Sequence, residues 1–87
     1  MIPRIKKLEA KERYKLHVIF DSGEEVIYDV SDDINNTPGF SALKNEIGLF
    51  VNFKLDESRT CVFWNDEIDI PSDIIYEYGH KVKDLSE

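Results

Sequence analysis

Eighty-seven residues with eleven Lys or Arg against eighteen Asp or Glu give a formal charge of −7, which describes one small acidic domain rather than several. Five Phe, four Tyr and one Trp in a chain that is 41% hydrophobic supply enough burial to offset ordering entropy, so disorder is excluded. No apolar run approaches the ~18 residues of a membrane span or forms a signal peptide, and a lone Cys61 rules out disulfide scaffolds and zinc ribbons, leaving the cytoplasm as the expected location.

Residues 2–9 space their apolar side chains at Ile2, Ile5 and Leu8, which suits neither period, but Pro3 and the β-branched residues favour an extended edge strand. Tyr14, Leu16, Val18 and Phe20 then alternate with Lys15, His17, Ile19 and Asp21, a strand with one strongly apolar face. Asp21-Ser22-Gly23-Glu24 reads as a tight turn in which Gly23 supplies a positive φ, and Val26, Tyr28 and Val30 continue as the second strand of a hairpin. Residues 31–36 form a turn or one helical turn holding Ile34 inward. Thr37-Pro38 or Ser41 caps a short helix with Phe40, Leu43 and Ile47 on one face, stopped by Gly48. The period returns to two at Val51, Phe53 and Leu55, and Asp56-Glu57-Ser58-Arg59 turns the chain into residues 60–64, a second hairpin. Ile68, Asp69 and Ile70 make a brief extended piece that Pro71 ends, before Ser72-Asp73 caps a final helix terminated by Gly79.

This order predicts an α+β fold: a small antiparallel sheet of two hairpins plus edge strands, with one face covered by two short helices. A single domain is expected over residues 1–79, with residues 80–87 frayed as an acidic C-terminal tail.

The charge is unevenly distributed. Residues 1–15 hold Arg4, Lys6, Lys7, Lys11, Arg13 and Lys15 against Glu9 and Glu12, a local charge of +4, while residues 16–87 hold five cations and sixteen acids, −11. On one reading the basic first strand lies beside an acidic neighbour and the two fields partly cancel. On the other, the acidic remainder is a docking surface for a basic partner. Direct binding to nucleic acid is not expected of so acidic a chain.

No catalytic constellation stands out. His17 reads as a half-exposed strand residue and His80 as a cation complementing the dipole of the helix it follows. Cys61, within a strand, is a small buried side chain with nothing placed to lower its pKa. Asn65, Glu67 and Asp69 mimic the alternate spacing of a calcium loop, but its sixth and twelfth positions would be Ile70 and Tyr76 rather than Gly and Glu. Neither a phosphate loop nor a nucleophile elbow occurs, and no cofactor is expected. Trp64, at a strand end beside the acidic loop, is either a core residue reaching for a polar partner or an interface anchor. The candidate partner-binding residues are therefore Trp64, Asp66, Glu67, Asp69, Glu24 and Glu25.

Across residues 2–78 the chain resembles the bacterial family catalogued as domain of unknown function 2442. The resemblance rests on Phe20-Asp21-x-Gly23-Glu24, Tyr28-Asp29-Val30, Gly39-Phe40-x-x-Leu43, Phe50, Val62-x-Trp64, Asp69-Ile70 and Asp73-x-x-Tyr76. It implies a compact α+β domain with no established enzymatic activity. Some relatives look like partners of a small toxin-like protein encoded beside them, and others continue into a helix-turn-helix, for which a chain stopping at Glu87 leaves no room. The family's usual Pro-Asn-Gly after the Trp is Asn65-Asp66-Glu67 here, so the loop conformation does not carry over.

These readings favour a non-enzymatic protein-binding or regulatory module, antitoxin-like, that takes a small basic protein encoded nearby. The alternatives are a self-associating structural module forming a homo-oligomer, and a small metal-binding protein or enzyme built on Asp66, Glu67 and Asp69.

Overall fold

The computed structural model describes residues 2–82. Ten elements follow in order: β1 (Ile5–Lys11), β2 (Lys15–Phe20), β3 (Glu25–Asp29), α1 (Ser31–Asn36), α2 (Ala42–Asn45), β4 (Lys54–Leu55), β5 (Cys61–Phe63), β6 (Asp69–Pro71), α3 (Ser72–Tyr78) and β7 (His80–Val82). The fold is α+β, as the sequence predicts, and both expected hairpins form. They belong to separate antiparallel sheets, one ordered β1-β2-β3-β7 and the other β4-β5-β6. The reason lies at the sheet edge: β7 occupies the free side of β3, so the second hairpin has no edge there to join. Residues of both sheets and all three helices meet in one core, and this second sheet shares with the helices the task of covering the first.

The awkward spacing of the first segment has a physical origin. The β1–β2 register slips between Ile5 and Lys7, a bulge that inserts one residue and resets the alternation. Ile5 and Leu8, three apart, therefore both turn to the core, Ile5 with no exposure at all. A strict period of two would have put one of them in water.

Residues 80–82 correct the expected tail. They are a strand paired with β3, His80 opposite Ile27 and Val82 opposite Glu25. Gly79 makes this possible by close approach: a Cβ there would stand 2.2 Å from Val26 Cγ1 and 2.7 Å from the Ile75 carbonyl oxygen. The remainder of that tail, residues 83–87, lies outside the described residues.

The helix expected around Phe40, Leu43 and Ile47 shrinks to the four residues of α2. Gly39 and Gly48 both hold positive φ and confine the segment to turns. Phe40 and Leu43 are buried, but Ile47 projects fully into solvent. In α3 the N-cap is Pro71 rather than Ser72. Ser72 is instead buried, its hydroxyl donating to the Pro3 carbonyl at 2.5 Å and its amide to the Thr60 carbonyl at 2.8 Å.

Among the described residues no helix is long and apolar enough to cross a membrane.

Candidate functional site

The six candidate residues fall in two places. Trp64 closes β5 and turns inward, 5% exposed, its indole N–H donating to the Phe50 carbonyl at 2.8 Å and its ring stacked on Phe50 at 6.0 Å between centroids. This corrects its assignment as a partner contact: the ring is core, and the polar atom that an interface anchor would offer is satisfied inside. Asp66, Glu67 and Asp69 are exposed in the turn and strand that follow. Asn65 shapes that turn, its side-chain oxygen accepting the amides of Glu67 at 2.8 Å and Ile68 at 2.9 Å, an Asx turn that needs no glycine. Buried Ile68 then anchors the loop, its carbonyl accepting the Trp64 amide.

Glu24 and Glu25 flank the start of β3. Glu24 accepts the Tyr76 hydroxyl at 2.7 Å, a bond that, ahead of burial, pushes the Tyr76 pKa up. Glu25 sits 2.7 Å from His17 Nε2. Both are engaged within the fold, and among the described residues no hydrogen bond or ion pair joins them to the 66–69 loop.

His17 has the carboxylate neighbours its sequence context did not reveal. Strand register brings Glu9 to 3.7 Å from Nδ1 on one side while Glu25 closes on the other. The three recur at eight-residue spacing, the length of one strand and its turn, and that spacing was the available signal. Cys61 is half-buried, and burial first, then Asp69 and Asp56, push its thiol pKa up, away from the thiolate that nucleophilic chemistry requires. Among the described residues no group of three or more His, Cys, Asp or Glu is placed to hold a metal ion.

Of the cations in residues 1–15, Lys15 stands opposite Asp29 of β3, while β1 itself has no acidic partner strand among the described residues. Among the described residues β1 pairs only with β2, where Lys11 stands directly opposite Lys15. Among the described residues its one ion-pair acceptor is Glu9 of the same strand, 3.2 Å from Lys11 and 3.9 Å from Lys7, and these cations hold the Glu9 carboxyl below its ordinary pKa. A cleft of about 470 Å³ opens at the end of this hairpin, and another of about 700 Å³ lies beside Arg4, Asp21 and Thr60. In the larger one the cation and carboxylate oppose each other, and Asp21 is already held by Arg59.

Two small antiparallel sheets and three short helices over a common core define a small α+β domain. The chain belongs to the family described as protein of unknown function DUF2442, whose model matches residues 5–81. No curated protein and no solved structure matches it.

Proposed function

We propose that this protein is a non-enzymatic, cytoplasmic protein-binding module of the antitoxin-like kind, which uses Asp66, Glu67 and Asp69 to take a small basic protein encoded nearby. One observation carries the reading: the loop is held in a fixed shape by Asn65 and Ile68, yet none of its three carboxylates has a cation within ion-pair distance among the described residues. A preformed acidic loop steers a basic partner and loses little entropy on binding it.

The test is a co-purification with the product of the adjoining gene at low and moderate salt, using wild type and an Asp66→Asn, Glu67→Gln, Asp69→Asn variant. Retention by wild type, weakened by salt and lost in the variant, is expected. Failure to retain any basic protein at either salt concentration overturns the reading.

A further inference from the structure

The end of the β1–β2 hairpin carries an independent feature of opposite sign. The 470 Å³ cleft lies between the turn at 12–14 and the segment from α2 onward, where Arg13, Lys44 and Lys11, the last already paired with Glu9, share the lining with one carboxylate, Glu46. Ile47 and Val51 line the same cleft and are 104% and 67% exposed. Neither Arg13 nor Lys44 has a carboxylate within ion-pair distance among the described residues. Cations and bare apolar side chains are thus brought together on an otherwise acidic molecule, in a hollow of the size that binding clefts have.

Two local departures from stability converge there. Arg13 and Tyr14 hold adjacent positive φ values of 63° and 61°, which glycine or asparagine would adopt more cheaply, and backbone strain of this kind concentrates at functional sites. Ile47, whose spacing with Phe40 and Leu43 suits a core face, is turned outward beside Lys44. Ile47 breaks its local pattern with no packing gain, and at such a position binding is expected to be the reason.

We infer that this cleft docks an acidic peptide segment of a partner protein, its carboxylates on Arg13, Lys44 and Lys11 and an apolar side chain of the segment against Ile47 and Val51. Charge complementarity selects that occupant. A nucleic acid would satisfy the same cations, but the rings that line the cleft are committed elsewhere: Phe50 is buried and half-buried Tyr14 packs edge-on against it at 5.3 Å. No exposed ring remains in the cleft on which a base could stack.

Fluorescence anisotropy on the full chain tests this with three labelled probes: a decapeptide alternating Glu and Leu, its counterpart with Lys for Glu, and a single-stranded oligothymidine. Saturable, salt-sensitive binding of the Glu–Leu peptide alone is expected, with Kd raised about tenfold or more in an Arg13→Asn, Lys44→Gln variant and raised also in Ile47→Ser. All three positions are exposed and Asn tolerates positive φ, so an unchanged melting temperature checks that folding is intact. The inference is overturned by absence of saturable binding, by equal binding to the variants, or by tighter binding of the oligonucleotide. It is overturned equally by a salt-sensitive dimer in light scattering that Arg13→Asn, Lys44→Gln abolishes, which would give the cleft to a second copy.

Discussion

Asp21 and Arg59 close a two-pronged ion pair across the seam between the sheets, Nη1 to Oδ1 and Nη2 to Oδ2, both at 2.9 Å. Arg59 adds a backbone clasp: its carbonyl accepts the Ile5 amide at 2.8 Å, and Nη1 reaches the Ile5 carbonyl at 3.3 Å. It does so from a positive φ of 61°. With both side chains about 40% exposed, the charge attraction contributes roughly 0.2–1 kcal/mol. Arg59→Ala should therefore cost about 1 kcal/mol, whereas Arg59→Gly should be nearly neutral, because relief of the left-handed backbone returns about 1 kcal/mol. Urea denaturation ranks the two; equal losses would show that the backbone at 59 carries no strain.

Trp64 sets the second expectation. Trp64→Phe keeps the stack on Phe50 but leaves a carbonyl without its donor, a loss of about 1–3 kcal/mol. Trp64→Ala should cost about 3–5 kcal/mol, a large part of the roughly 4–13 kcal/mol typical of a chain this size. Because Trp64 is the sole tryptophan, iodide quenching of the native fluorescence should be weak and should reach full strength only on unfolding.

Two glycines separate packing from conformation. At Gly79 a methyl group collides with Val26 and the Ile75 carbonyl while φ is an ordinary −77°, so Gly79→Ala should destabilise by about 1–3 kcal/mol through overpacking and loosen β7 from β3. At Gly23, φ is +95° with open space around the missing Cβ, so Gly23→Ala should cost about 1–2 kcal/mol from the backbone alone. Amide exchange distinguishes them, since only the first should expose the β3–β7 hydrogen bonds.

Stability should decline at both ends of the pH range. The Asp56 carboxyl is held below its ordinary pKa of 3.8 by the Ser58 hydroxyl and then by backbone amides of Thr60, Cys61 and Arg59, and Asp29 is held down chiefly by Ser31. Groups with depressed folded pKa values contribute stability above the unfolded value and lose it as pH falls through the folded one. Tyr28 behaves oppositely: burial and then the Asp33 carboxylate push it well above 10.0, so its contribution is intact below that value and lost as pH climbs past it. Asp56→Asn should lower the melting temperature at neutral pH and flatten its fall below about pH 4, and Tyr28→Phe should flatten the alkaline limb.

Elements with a local cause were legible in the sequence. Alternation at Leu16, Val18 and Phe20 marked β2, Gly23 marked its turn, and Ile34 marked the inward face of α1. What escaped depended on partners far away in sequence. The bulge at Lys6 has meaning only once β2 is opposite it, β7 forms only because β3 has a free edge, and Ile47 follows the helical period without a core to receive it. The acidic loop was visible as composition, while its shape depended on one oxygen of Asn65. The basic cleft could not be read at all, since Arg13 and Lys44 are thirty-one positions apart and no turn signal marks the strained pair at 13 and 14.

The Ser72 hydroxyl and the Pro3 carbonyl, joined across 69 residues, have a consequence for the order of events in folding. The β1–β2–β3 meander is built from neighbouring segments and can zip through its own turns, while the bond from Ser72 forms only when a long loop closes, an entropically slow step. This contact is therefore expected to form late in folding and to release early in unfolding. Ser72→Ala should speed unfolding and leave the refolding rate almost unchanged in stopped-flow measurements, whereas slowed refolding would put this contact in the nucleus.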